Sequence, residues 1–292
     1  MRKGEKLIES ILFVCSALTL LTTAGIILVL SVETFGFFKE VSIIDFLTDT
    51  EWTPLFSNKH FGIMPLLAGT FLVTAISLVV AVPLGLTIAV YLSEYAPRWF
   101  RDVVKPILEI LAAIPTVVYG YFALVYVTPM LQAVFPDQVG GFNALSPGLV
   151  MGIMILPLIS SLSEDALYAV PKVLKEGSFA MGATKLQTVR QVLIPAAFSG
   201  ISVSIILALS RAIGETMIVA IAAGQQPRLT ANPFVPIETA TTYIVQVTMG
   251  DVPYDSLEYR TIFAVGMTLF VITLILNNIS FWLKKRYHQA YR

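Results

Sequence analysis

Two opposite charges stand four residues apart inside an apolar run: Arg211 and Glu215, in Arg211-Ala-Ile-Gly-Glu215-Thr216. A charge at the centre of a bilayer costs about 2.5–3.5 kcal/mol on insertion scales, so such a residue must face protein or water. Ser204, Ala208, Arg211 and Glu215 are spaced by four, three and four, which places them on one helix face. The same spacing lets Arg211 and Glu215 pair directly. Two chemistries fit. One is a structural ion pair between helices. The other is a way-station for an anion, in which the planar guanidinium fork takes oxyanion oxygens and Glu215 holds Arg211 until an anion displaces it. An arginine with no such competitor would bind the anion too tightly to pass it on.

A second constellation is polar. Glu176 and Gly182 stand six residues apart, and Val192-Leu193-Ile194-Pro195 follows. Val170, Val173 and Leu174 recur at helical spacing behind Pro171, a residue suited to a helix's first turn. Leu186, Val189 and Leu193 do the same after Gly182. Two short helices joined at Gly182 are expected, because glycine accepts the left-handed conformation that closes a helix. The segment from Ser163 to Ala196 reads as an amphipathic loop lying on the membrane, or as a docking element for a protein outside it. Glu109, beside Lys105, reads as a snorkelling or capping residue. Pro115 and Pro157 are expected to kink or break their helices. Backbone groups freed in this way are tolerated in a membrane where protein or a water-lined cavity meets them, so both prolines are expected to face the pathway or a partner helix. His60 and His288 are too far apart to suggest a metal site, and Cys15 alone cannot form an internal disulfide.

The elements that position these residues are membrane spans. The chain has 292 residues, 56% hydrophobic and 13% charged, with mean hydropathy +0.80; a soluble domain carries about 25% charged residues. The fold class is all-α and polytopic. Apolar runs near Leu7–Val32, Leu66–Leu92, Pro106–Met130, Pro147–Leu162, Ala197–Ala223 and Thr261–Leu283 predict six transmembrane helices. The first run follows Arg2, Lys3 and Lys6 but is too long for a signal peptide's apolar region, so it reads as a retained anchor. Fourteen Lys and Arg fall on one set of hydrophilic segments and four on the other, which places both termini in the cytoplasm by the positive-inside rule. Residues Glu33–Met64 are then external, with Phe35, Phe37, Phe38, Phe46, Trp52 and Phe56 expected at the headgroup level and an interfacial helix ending at Trp52-Thr53-Pro54. Gly224–Arg260, the other long external segment, carries four prolines and is expected to be irregular. No Gly-rich loop ends in Lys-Ser or Lys-Thr, so ATP is not bound in the P-loop manner.

The run Glu176-Gly177-Ser178, three residues, Gly182, nine residues, Val-Leu-Ile-Pro195 resembles the Glu-Ala-Ala loop of bacterial permeases of the ATP-binding-cassette importer class. Gly177-Ser178 departs from Ala-Ala but stays small. Further stretches are similar to the phosphate-specific permeases: Phe61-Gly-Ile-Met-Pro65, Gly69-Thr70, Pro83-Leu-Gly85, Tyr91-Leu-Ser-Glu94-Tyr95, Glu109 to Gly120 with Pro115-Thr116, and Arg211 to Thr216. Glu51-Trp52-Thr53-Pro54 points to the C-type permease subunit. The resemblance implies a type I importer permease fold, with residues 1–65 as anchor and external segment, 66–283 as permease core with a coupling loop at about 163–196, and 284–292 as a cytoplasmic tail. It implies phosphate translocation by alternating access, with Arg211, Glu215, Ser204 and Thr116 on the pathway and Glu176, Gly177, Ser178, Gly182 and Pro195 in ATPase coupling. The implied partners are a second homologous permease, two ATPase subunits, an extracytoplasmic phosphate-binding protein and the lipid bilayer, with no nucleic acid. ATP and Mg would sit on the ATPase, with no cofactor on this chain. A permease for molybdate or sulfate, and a membrane sensor docking a cytoplasmic partner, are the other readings.

Overall fold

A computed structural model describes residues 3–287; Arg2, His288 and Arg292 lie outside the described residues. The named elements are all helices, and the β pairing among the described residues is two isolated bridges, Trp52 with Phe61 and Gly224 with Ile237. Helix α1 (Lys3–Phe38) runs past the expected Val32, because nothing between Val32 and Phe38 breaks a helix. Helix α2 (Ile43–Thr48) is capped by Ser42, whose Oγ accepts from the Ile44 N–H. It ends at Thr48, short of the expected Trp52-Thr53-Pro54. Three of the aromatics expected at the headgroup level turn inward: Phe37, Phe46 and Trp52 are buried in one cluster with Tyr243, while Phe35 and Phe56 stay exposed. Edge-to-face contacts, such as Trp52–Tyr243 at 4.9 Å between ring centres, hold this cluster and favour packing over a place among headgroups.

Helix α3 (Met64–Val90) starts with Pro65 in its first turn and continues as a π-helical turn over Tyr91–Tyr95. The third apolar run is not one helix. An amphipathic helix α4 (Arg98–Ala113) ends at Ile114, which is extended with ψ 129°, and α5 (Thr116–Phe122) begins after Pro115. A residue before proline is pushed out of helical geometry, and Pro115 has no N–H to extend the ladder. The span is therefore Thr116–Val134, comprising α5, a π turn and α6 (Thr128–Val134). Helix α7 (Leu145–Tyr168) passes through Pro157 unbroken and extends beyond the expected Leu162.

The polar segment after α7 folds as α8 (Lys172–Ala180), α9 (Lys185–Thr188), a π turn and α10 (Ile194–Ala196). Helix α11 (Phe198–Ile213) follows at a 70° bend. The fifth run breaks at Gly214–Thr216, and a short α12 (Met217–Ala222) resumes it. Helix α13 (Ala240–Met249) lies within the segment expected to be irregular, and α14 (Leu257–Tyr287) closes the fold. Among the described residues, five stretches are long and apolar enough to cross a membrane: Ile8–Phe38, Met64–Tyr95, Thr116–Val134, Leu145–Tyr168 and Leu257–Leu283. The bent pair Lys185–Ala196 and Phe198–Ile213 supplies a sixth.

Helix α7 is the centre. Gly148 and Gly152 let α3 approach: a Cβ at 148 would lie 2.7 Å from Ile76, and one at 152 would lie 3.0 Å from the Ser77 carbonyl oxygen. Small residues at such a seam allow the backbone contact that drives helix association in lipid. Helices α11 and α4 also pack on α7, and α1 packs on α14.

Candidate functional site

A cleft of about 320 Å³ opens along α7, lined by Met154, Pro157, Leu158, Ser161 and Glu164 of α7, by Lys105, Leu108, Glu109 and Ala112 of α4, and by Arg211 of α11. Two prolines shape it. Pro115 ends α4 and so frees that helix to lie against α7, and Pro157 sits in the cleft wall.

Arg211 and Glu215 do not pair. Arg211 is in the last turn of α11, where its Nη2 donates to Met154 Sδ at 3.4 Å and its side chain faces the cleft. The helix stops at Gly214, so Glu215 is not at i+4 of a continuous helix. Glu215 is buried, and its Oε1 accepts from the N–H groups of Met217 at 3.1 Å and Ile218 at 3.4 Å. It satisfies the free donors at the start of α12, as an acceptor at a helix N-terminus does. The sequence spacing assumed helical continuity that Gly214 removes.

Ser204 is fully buried between α11 and α7, sharing a 2.8 Å hydroxyl–hydroxyl hydrogen bond with Ser163 and donating to the Ile201 carbonyl. It braces the two helices and is not part of the cleft lining. Thr116 is half-buried in the first turn of α5 and also lies off the lining. Glu109, read from sequence as a snorkelling or capping residue, lines the cleft.

Sequence reasoning missed the charges around Glu164. This carboxylate is buried near the end of α7; its Oε1 lies 3.2 Å from Lys105 Nζ and 3.7 Å from Arg101 Nε. Arg101 is anchored further: both its Nε and its Nη2 donate to the Leu92 carbonyl, and its guanidinium stacks over Tyr168 at 4.9 Å. The sequence signal was the four-residue spacing of Arg101 and Lys105, which puts both on one face of α4. Their partner helix could not be read from it. A further buried carboxylate, Glu238, precedes α13 outside the spans; its Oε1 has no hydrogen-bond partner among the described residues, and burial pushes its pKa up to about 8.

The loop between α7 and α11 has a fixed shape. Gly182 adopts φ +82° and closes α8: its N–H donates to the Phe179 carbonyl, and the Ala183 N–H donates to the Ser178 carbonyl. This is the paired closure that follows a left-handed residue. Thr184 and Gln187 cap α9 reciprocally. Ser178 and Thr188 hydroxyls meet at 2.9 Å and tie α8 to α9, so the serine that replaces alanine here does more than stay small. Glu176 and Gly177 are exposed, and no atom lies within 4 Å of where a Cβ at Gly177 would be. Pro195 sits in the first turn of α10, just before the bend into α11. Val173, Met181 and Leu186 leave 75%, 89% and 68% of their surface uncovered, an apolar projection of the kind that marks a protein contact. The loop is joined to the π turn that follows α3 by Lys175 with Glu94 at 2.5 Å and by Lys185 over the Tyr95 ring at 4.5 Å.

Residues 81–289 match the family model of the binding-protein-dependent transport system inner membrane component. The chain belongs to this family. It is 36% identical over 274 residues to the probable ABC transporter permease protein YqgH of Bacillus subtilis, covering 93% of this chain and 88% of that one. It is 33% identical over 277 residues to the phosphate transport system permease protein PstC of Mesorhizobium japonicum, covering 88% and 80%. The PstC protein of Haemophilus influenzae is 33% identical over 253 residues, covering 80% and 79%. Among solved structures, a bacterial alginate ABC transporter in complex with an alginate pentasaccharide-bound periplasmic protein shares the fold at TM-score 0.66 and 18% identity, covering 98% of this chain and 96% of that one. The MetNI methionine ABC transporter in an inward-facing conformation does so at 0.55 and 21%, covering 77% and 94%. The protein is thus a multi-pass permease subunit of an ATP-binding-cassette importer, and the family's ATPase activity lies outside this subunit.

Proposed function

We propose that this permease carries inorganic phosphate as the C-type subunit of an ATP-driven importer, with Arg211 as the anion way-station. The observation that carries the reading is Arg211 itself. Its guanidinium faces the cleft and makes no ion pair among the described residues. A planar fork of this kind suits oxyanion oxygens, and the relatives named for phosphate transport cover most of the chain. Glu215 is reassigned from competitor to helix anchor. Thr116 and Ser204 act in this account by supporting α5 and α11.

The remaining parts follow the same reading. The exposed loop carrying Glu176, Gly177, Ser178, Gly182 and Pro195 docks in an ATPase subunit and receives its motion. Both termini are cytoplasmic. A second homologous permease completes the pathway, two ATPase subunits bind ATP and Mg, and an extracytoplasmic phosphate-binding protein delivers the anion. The test is a panel of anions on the complete importer reconstituted in proteoliposomes. Phosphate, delivered by the binding protein, is expected to stimulate ATP hydrolysis, with molybdate and sulfate inactive. Stimulation by molybdate or sulfate instead would assign another oxyanion, and no stimulation by any solute would favour a sensor.

A further inference from the structure

The cleft holds a second cation besides Arg211. Arg211 contacts Met154 on α7, and Lys105 contacts Glu164 ten residues further along the same helix. At 1.5 Å per residue, the two contacts are about 15 Å apart along the cleft wall. The cleft, at about 320 Å³, has far more than the ~10–15 Å³ that one water needs, so an anion can sit in it with part of its hydration shell. Lys105 is 42% exposed, while Glu164 is buried at 2%.

A buried carboxylate stripped of its partner is strongly destabilising. Glu164 has two partners, and they differ. Arg101 is fixed by the Leu92 carbonyl and the Tyr168 ring. Lys105 is held only by Glu164 among the ion pairs of the described residues, on a flexible four-carbon stem. Lys105 can therefore swing into the cleft while Arg101 continues to compensate Glu164. We propose that Lys105 is a second oxyanion site on the exit side of Arg211, and that Glu164 is the competing charge that makes it release. Glu164 thus takes the role that the sequence spacing suggested for Glu215. This inference rests on the reading of the chain as an oxyanion permease and deepens it.

The test uses the complete importer in proteoliposomes, in a Cys15→Ser background. Lys105→Cys is expected to lower phosphate uptake about tenfold or more, the order of one lost charge-assisted hydrogen bond. Treatment after assembly with 2-aminoethyl methanethiosulfonate, which restores a positive charge, is expected to recover uptake; the neutral methyl reagent is not. Glu164→Gln is expected to lower both KM and kcat, because the anion is held longer. Joint replacement of both residues by glutamine removes the Lys105–Glu164 pair and leaves Arg101 on the Leu92 carbonyl and the Tyr168 ring, and uptake is expected to stay low. Wild-type uptake in Lys105→Cys, equal recovery with both reagents, no recovery with the charged reagent, or recovery in the joint glutamine variant would each overturn the proposal. The substrate reading fails separately. If sulfate or molybdate drives the wild-type complex, phosphate is wrong, and the Lys105 series is read with that anion. A wild-type response to an uncharged or cationic solute would overturn both.

Discussion

At the scale of residues, carboxylates that look alike in the sequence hold different positions in the fold: Glu215 at the start of α12, Glu164 beside the cleft and Glu238 before α13. Glu215 anchors α12, so its shape matters more than its charge. Glu215→Gln keeps an acceptor oxygen for the Met217 and Ile218 N–H groups and is expected to assemble and transport near wild-type rates. Glu215→Ala leaves those donors open and is expected to destabilise the protein by about 1 kcal/mol, the usual value of a lost helix cap. Thermal unfolding of the purified complex, with uptake measured alongside, checks both; a transport block in Glu215→Gln with normal stability would restore the competitor role. Glu238 gives a pH prediction. Burial raises its pKa from 4.5 to about 8, so the folded state binds a proton that the unfolded chain releases above its ordinary value. Stability from this group is then full below pH 4.5, falls as pH rises towards 8, and levels off above. Glu238→Gln imitates the neutral acid and should remove this loss. Its melting temperature should exceed that of the wild type at pH 8, and the gap should shrink as pH is lowered through 7 and 6. A gap independent of pH would contradict the assignment.

At the scale of elements, the helices were largely legible in the sequence and their breaks were not. An apolar run overlaps each span, because membrane helices must satisfy their backbone internally and so write their length into hydropathy. The third run also took in α4, and the fifth ran on through the break at Gly214. Gly182 was legible too: its place between two amphipathic stretches called for a left-handed residue, and it has φ +82°. The interruption at Ile114-Pro115 was hidden because an amphipathic α4 and an apolar α5 merge into one hydrophobic window. The stop at Gly214 was hidden for a related reason, and with it went the Arg211–Glu215 pair. The Glu164 cluster joins α4 to α7 over a separation that no local spacing encodes. The loop between α7 and α11 supplies the prediction at this scale. Gly182→Val meets no neighbour within 4 Å, so its cost is the backbone conformation alone. It should weaken co-purification with the ATPase while membrane insertion stays normal. Ser178→Ala removes the hydroxyl bond to Thr188 and should reduce ATPase coupling less than Gly182→Val does. Normal ATPase co-purification of Gly182→Val would show that the loop's shape does not matter for docking.

At the scale of the whole molecule, α7 carries the cleft, α4 and α11 supply its cations, and the loop between α7 and α11 presents the apolar side chains of Val173, Met181 and Leu186. A connected route runs from that loop through Lys175 to Glu94, two residues along the π-turn backbone to the Leu92 carbonyl, and on through Arg101 to Glu164 beside the cleft. Such contiguity is a route by which a push on the loop can reach the pathway, and coupling along it is a matter for measurement. Orientation is tested directly. Single cysteines at Asn58 and Asn232, in the Cys15→Ser background, should label with an impermeant thiol reagent added outside, and one at Lys185 should not; the reverse pattern would invert the topology. In the proposed cycle phosphate crosses by way of Arg211, driven by ATP hydrolysis elsewhere in the complex. The most direct measurement is phosphate uptake and phosphate-stimulated ATP hydrolysis recorded together in proteoliposomes, for the wild type, Arg211→Lys and Arg211→Ala. The wild type should show both activities. Arg211→Ala should assemble yet lose uptake, and Arg211→Lys should recover little, because an ammonium lacks the bidentate fork. Full phosphate uptake by assembled Arg211→Ala would contradict the account.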